Sequence, residues 1–268
     1  MIKKHLSLLV LLLLLFNCDS SSKKTESTDN ATVSTAVPTI NYAVKAYYGH
    51  DNTLYTEGLL IHNGQLYESS GGTRSEIGIS DLATGKFDKK IELNKEVYFG
   101  EGIIIFKDKL YQLTYTNQEG FIYDAKSYKL ISKFKYDNVE GWGMTTDNTA
   151  IIMSDGTDKL TYWDPTTLKP IKKLAVTENG IARDKLNELE YINGYIYANI
   201  YTENNIVKID PATGNVVGKI DLSSLVFEAK NKNPNADVLN GIAFDPVKNK
   251  IYVTGKYWNN IYEIDFKH

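Results

Sequence analysis

From about residue 41 onward, apolar and polar positions alternate in short runs punctuated by Gly, Asn, Asp and Pro. Ile196-Tyr197-Ala198-Asn199-Ile200-Tyr201 is representative. Period-two alternation with β-branched and aromatic side chains predicts strands. No amphipathic helix is predicted. Ile181–Leu189 is ambiguous between helix and strand, and Glu228–Asp237 reads as a polar, proline-containing loop. One unit recurs: a polar residue, a short apolar strand, a turn, then a tyrosine-rich strand. Its polar residues are Glu57, Glu101, Glu140, Asn187 and Asn240. A second marker agrees, since Asp81, Asp124, Asp164, Asp210 and Asp265 each close a strand and the first four open a turn. Repeats of roughly 40–50 residues with about four short strands each are the mark of a propeller blade. The expected fold is therefore all-β, a five-bladed β-propeller, with a β-sandwich as the rival. The fifth unit is one strand short, and Asn41–Tyr48 has no blade of its own. That N-terminal strand is expected to close the ring as the missing outer strand, removing an exposed edge.

The first residues break this pattern. Lys3 and Lys4 precede an apolar run, Leu6–Phe16, that is too short for a stable bilayer span, so residues 1–17 read as a signal peptide. Cys18 follows, then a stretch of Ser, Thr, Asp, Asn and Lys. A cysteine at the end of the apolar run, before a polar tether, looks like a lipid-attachment site. The alternative is an ordinary signal with a chance cysteine. Residues 18–38 are expected to be the lipidated cysteine and a disordered tether, since they carry too little apolar surface to offset ordering. The propeller is expected over 39–268, on an exported protein held to the bacterial cell envelope by its lipid.

Composition narrows the function. The chain has 268 residues, a formal charge of −3 and one cysteine. This excludes a disulfide scaffold. It also argues against a nucleic-acid partner, which would need a basic surface to displace counterions. The 19 tyrosines outnumber the 9 phenylalanines and 3 tryptophans together, and the repeats assign several, including Tyr67, Tyr111, Tyr197 and Tyr252, to equivalent second-strand positions.

In a propeller the first strand of each blade lines the central channel, so the five recurring polar residues converge on one axis. Trp142 and Glu190 are expected close by. The second strands add Thr114, Tyr115, Asp155, Tyr201 and Lys256. A carboxylate-rich mouth beside aromatic rings suits a small cationic group such as an amine. The competing account is that these side chains only tie neighbouring blades by hydrogen bonds. Lys256 reads as a plain ion pair or as positive charge for a developing oxyanion. No paired-histidine or cysteine-cluster spacing, nucleophile elbow or glycine-rich phosphate loop is found. Asp155-Gly156-Thr157-Asp158 reads as a turn rather than a calcium loop.

These motifs together resemble a known family. Tyr55-Thr56-Glu57-Gly58-Leu59, Phe99-Gly100-Glu101-Gly102-Ile103, Gln112-Leu113-Thr114-Tyr115 and Glu140-Gly141-Trp142-Gly143-Met144 come first. Leu186-Asn187-Glu188-Leu189-Glu190, Leu239-Asn240-Gly241-Ile242-Ala243 and Thr254-Gly255-Lys256-Tyr257-Trp258 follow, in order and at blade spacing. Over about residues 43–266 the chain is similar to the plant-type glutaminyl-peptide cyclotransferases.

The resemblance implies a five-bladed propeller that closes an N-terminal glutamine into pyroglutamate and releases ammonia, with no cofactor or catalytic metal. It implies Glu101 as the acid/base group. Asn187 and Lys256 would bind and polarise the side-chain amide, with Phe99 and Trp142 as apolar walls. Tyr55, Glu57, Tyr115, Tyr201 and Asn240 complete the expected substrate-binding set. Three positions depart from the family pattern. Glu57 stands where glutamine is usual, and Tyr115 and Tyr201 stand where tryptophan is common. The expected partners are peptides or proteins with an N-terminal glutamine, and the expected state is a monomer. The other readings are a propeller that binds peptides without turnover and a metal-dependent lactonase-type propeller.

Overall fold

The computed structural model describes residues 36–268, so the expected signal peptide and Cys18 lie outside the described residues. Five four-stranded antiparallel sheets form the blades. Blade I comprises Thr56–His62, Gln65–Ser70, Glu76–Ser80 and Phe87–Glu92. Blade II comprises Gly100–Phe106, Lys109–Thr114, Glu119–Asp124 and Leu130–Lys135. Blade III comprises Met144–Thr146, Ile151–Met153, Lys159–Trp163 and Pro170–Ala175. Blade IV comprises Leu186–Ile192, Tyr195–Ile200, Asn205–Ile209 and Val216–Asp221. Blade V takes Leu239–Asp245, Lys250–Gly255 and Asn260–Phe266 from the end of the chain.

Its fourth strand is Tyr42–Gly49, antiparallel to the last strand in a register running from Tyr42 opposite Phe266 to Gly49 opposite Asn260. The ring is thus sealed by pairing the first strand with the last, as the strand count requires. Just before it, Pro38 and Ile40 exchange backbone hydrogen bonds with Lys219 on the outer strand of blade IV.

The aspartate punctuation has a direct cause. The Oδ1 atoms of Asp81, Asp124, Asp164 and Asp210 accept backbone N–H groups two or three residues on, folding the turns between third and fourth strands. Glycines where the first strands begin have another. A Cβ on Gly102 would lie 2.4 Å from the Trp142 carbonyl oxygen, and one on Gly143 would lie 2.2 Å from that of Asn187. First strands of neighbouring blades approach backbone to backbone there, and only glycine fits. Apolar faces of adjacent blades fill the space between sheets, for example Ile151, Met153 and Trp163 with Phe134 and Tyr136.

Two expectations change. Ser223–Lys232 is an α-helix that reaches into the stretch read as a loop from Glu228. Leu225, Val226 and Ala229 are buried under it against blade V, while Phe227 is 69% exposed. Burial of that short stripe, rather than propensity, makes the segment helical. The ambiguous Ile181–Leu189 is extended: Thr177–Glu178 and Ile181–Ala182 form a small hairpin, and Leu186 opens blade IV.

Candidate active site

The site residues sit where first strands leave regular pairing. Register shifts fall between Thr56 and Gly58, Gly100 and Ile103, Leu186 and Leu189, and Leu239 and Ile242. These irregularities release Glu57, Glu101, Asn187 and Asn240 from strict alternation at one level of the channel, the usual use of a bulge beside a site. Second-strand side chains hook the next blade at the same level. Ser69 Oγ donates to the Glu101 carbonyl at 2.6 Å, and Ser154 Oγ to the Asn187 carbonyl at 2.6 Å.

At this level a cavity of about 260 Å³ is lined by Tyr55, Glu57, Phe99, Glu101, Tyr115, Trp142, Asn187, Tyr201 and Lys256. Lys256 Nζ donates to Glu57 Oε1 at 2.7 Å and lies 4.2 Å from the Tyr55 ring centroid. The pair is desolvated, with side-chain exposures of 5% and 3%. The Glu57 and Glu101 carboxyl groups are within hydrogen-bond reach of each other. Two buried acids this close cannot both ionise freely.

Burial, then the Glu57 charge, hold the Glu101 carboxyl well above the carboxylate range, against the lowering effect of Lys256. Burial also pushes Glu57 up, to about 7, with the Lys256 charge opposing it. For Lys256, burial lowers the pKa, but Glu57 and Glu101 outweigh it, and the ammonium stays charged. The site therefore holds one firm cation and a carboxyl pair with a proton to share.

Aromatic rings fence the cavity. Phe99 meets Tyr55 edge-on at 6.1 Å and lies 5.9 Å from Tyr115, while Trp142 meets Tyr201 edge-on at 5.4 Å. Trp142 is fixed from two sides. Its Nε1 donates to Glu140 Oε2 at 2.8 Å, and its ring rests on Gly156, where a Cβ would be 2.6 Å from Cζ2. Asn187 is buried, yet its Oδ1 has no hydrogen-bond partner among the described residues. A buried amide oxygen without a partner is costly unless a ligand satisfies its group.

The chemistry that fits is handling of an amine beside an amide or carbonyl. The carboxyl pair accepts protons, the lysine stabilises negative charge, and the amide of Asn187 remains free to bind. The family comparison agrees, as the profile of the glutamine cyclotransferase family matches residues 10–266. The chain belongs to the glutamine cyclotransferase family. A glutaminyl-peptide cyclotransferase of Arabidopsis thaliana is 39% identical over 227 residues, which is 84% of this chain and 71% of the relative. The crystal structure of Myxococcus xanthus glutaminyl cyclase superposes with a TM-score of 0.80 at 33% identity, covering 86% of this chain and 98% of that one.

In this cyclotransferase fold, nine of the ten expected catalytic and substrate-binding residues line one cavity. Asn240 is the correction. It is fully buried and does not line the cavity; its Nδ2 donates to the Thr56 carbonyl at 3.0 Å and to Glu57 Oε2 at 3.3 Å. It ties blade V to blade I and steadies Glu57 from behind. Thr114 is also turned away and donates to the Glu119 carbonyl.

Asp155 accepts from Thr157 and Asn138 and forms the expected turn. Glu190 lies elsewhere, in a separate cavity with Leu60, Thr146 and Phe244. Its Oε1 accepts the Phe244 N–H at 2.8 Å, so it links blades as the competing account held. Glu188 does the same for Leu59 and Ile242. Tyr257, which the motifs did not mark as a site residue, packs its ring at a tilt 5.1 Å from that of Tyr55, behind the cavity lining. Its place beside Lys256 was the available signal.

Proposed function

We propose that the cavity binds the N-terminal glutamine of a peptide or protein and closes it to pyroglutamate with release of ammonia. The protein is a glutaminyl-peptide cyclotransferase, an acyltransferase. The observation that carries the site assignment is the Glu57–Glu101–Lys256 cluster facing the unpartnered Asn187 amide in one fenced cavity. The α-ammonium group sits against the carboxyl pair and the side-chain amide against Asn187 and Lys256. Glu101 in its carboxylate form takes a proton from the ammonium. The freed nitrogen attacks Cδ, forming the ring C–N bond. The resulting oxyanion is met by the Lys256 charge and the Asn187 amide, worth roughly 3–4 kcal/mol per well-placed donor. Glu101 then gives that proton to the departing nitrogen as the Cδ–Nε2 bond breaks and ammonia leaves, and the regenerated carboxylate takes the second proton from the ring nitrogen, leaving the neutral lactam. Such general acid–base work contributes about 10²–10⁴-fold. The aromatic fence holds the flexible side chain in its ring-closing conformation.

The test compares ammonia release from a glutamine-initiated peptide with that from its N-acetylated twin. Release from the free peptide alone supports the assignment. Equal release from both would point to amide hydrolysis instead, and none from either to a binder without turnover.

The same reading extends to the location. Export by residues 1–17 and lipidation at Cys18 would hold the propeller on the cell envelope as a lipoprotein, tethered through residues 19–38. It would act as a monomer. Cys18→Ser should move the protein from the membrane to the soluble fraction. Retention in the membrane would refute the anchor, and concentration-dependent sedimentation would refute the monomer.

A further inference from the structure

A second buried ion pair lies outside the cavity. His50 and Glu68 are both fully desolvated, with Nε2 2.9 Å from Oε1. The other ring nitrogen, Nδ1, lies 2.8 Å from the Trp258 carbonyl oxygen. A backbone carbonyl only accepts, so Nδ1 donates. The Glu68 carboxylate also accepts, so Nε2 donates as well. His50 is therefore an imidazolium, the only form with two donors. Glu68 further accepts from Thr56 Oγ1 at 2.7 Å and from Ser80 Oγ at 2.5 Å. Burial would push its carboxyl up, but the His50 charge and these hydrogen bonds hold it below its ordinary value.

The two ends of this network are the two segments that carry the catalytic ion pair. Thr56 precedes Glu57, and Trp258 follows Lys256 by two residues. Between them the loop after the closing strand is sewn to the Lys256 turn. His50 N–H donates to the Asn259 carbonyl at 3.0 Å, and Tyr257 N–H to the Leu54 carbonyl at 2.8 Å. The turn needs this support, because Tyr257 has a φ of +61°, a left-handed conformation that strains a side-chain-bearing residue.

We infer that His50 and Glu68 are positioning residues for the cyclotransferase reaction. Together they clamp the Thr56–Glu57 and Lys256–Trp258 segments so that Lys256 meets the developing oxyanion. The inference rests on the cyclotransferase reading of the cavity. Thr56 is the link that can be cut alone. Thr56→Val keeps the shape and the ion pair but removes the hydroxyl bond to Glu68. Ser80→Ala removes a comparable bond from a residue attached to neither site segment.

The experiment measures kcat and KM for glutamine-initiated peptide with full-length wild type, Thr56→Val, Thr56→Ser and Ser80→Ala. Each is assayed below its own melting transition. Displacement of a catalytic group by a fraction of an ångström predicts a roughly 10-fold lower kcat in Thr56→Val with KM little changed. Thr56→Ser, which restores the hydroxyl, recovers most of it, and Ser80→Ala lowers melting temperature but not kcat. Wild-type kcat in Thr56→Val, or an equal kcat loss in Thr56→Val and Ser80→Ala, overturns the clamp. An inactive wild type instead overturns the reading of the cavity.

Discussion

Glu57→Gln isolates the effect of placing a second carboxylate beside the acid/base group. The amide is nearly the same shape, and its oxygen can still accept from Lys256 Nζ, now 2.7 Å from Glu57 Oε1. What disappears is one negative charge in hydrogen-bond reach of Glu101. Like charges roughly 4 Å apart repel by about 4 kcal/mol at an effective dielectric of about 20, equivalent to about 3 pKa units. Solvent at the mouth and the shared Lys256 charge reduce this, so the Glu101 pKa moves down by less than that bound.

The sign follows from the causes acting on Glu101. Burial raises its pKa, Glu57 raises it further, and Lys256 lowers it. Without Glu57 the lysine acts against burial and the weaker Glu140 charge, and the Glu101 pKa falls. A base that ionises more readily carries activity to lower pH. The acid limb of the kcat/KM profile, which reports the free enzyme's base, should move down by at least about one unit. KM should rise, because one carboxylate facing the substrate ammonium is gone. The assay is initial ammonia release from a glutamine-initiated peptide, followed from acid to alkaline pH. An acid limb that stays in place or moves upward would refute the coupling between the two carboxyl groups.

Three other outcomes follow from the same geometry. Lys256→Met strips the counter-charge from two buried acids and the cation from the oxyanion, so kcat should drop roughly 10²–10³-fold, with a melting temperature that falls more at pH 8 than at pH 6, because Glu57 ionises across that range. Asn187→Ala should cost roughly 10²-fold in kcat with an almost unchanged melting temperature, since its Oδ1 has no hydrogen-bond partner among the described residues. Glu190 tests stability rather than catalysis. Burial raises its pKa to about 8, so the folded state holds the proton more tightly than the unfolded chain, and stability is lost as pH rises from the ordinary carboxylate value through about 8. Glu190→Gln keeps the acceptor for the Phe244 N–H and should raise the melting temperature at pH 9 by a few degrees but not at pH 5. Equal effects at both values would contradict the assigned cause.

The ring and its closure were legible because they are repeats. Most blades restate a glycine that lets neighbouring backbones touch, and four restate the aspartate that folds a turn, so weak signals reinforce one another. The cavity was legible for the same reason, since equivalent phase in a closed ring means convergence. Phase, however, marks a level in the channel and not which way a side chain turns there. Asn240 shares the level of Glu101 but turns behind Glu57, and Thr114 turns toward Glu119.

The helix Ser223–Lys232 was hidden because it buries only three side chains and starts at Leu222, a poor capping residue. The Thr177–Ala182 hairpin had a usable signal in Asn179-Gly180, both at positive φ as a tight hairpin turn requires. His50 and Glu68 could not have been paired from the sequence. They come from a connecting loop and a second strand, and only the closed ring brings them together.

On this mechanism, glutamine ring closure turns on proton transfer by Glu101. The direct measurement is the mass spectrum of a glutamine-initiated peptide after incubation with equal amounts of wild type and Glu101→Gln at pH 8. The account predicts a ~17 Da loss with wild type and the same product formed about 10²–10⁴-fold more slowly with the variant. An unchanged peptide with folded wild type, or equal rates from the two proteins, would contradict it.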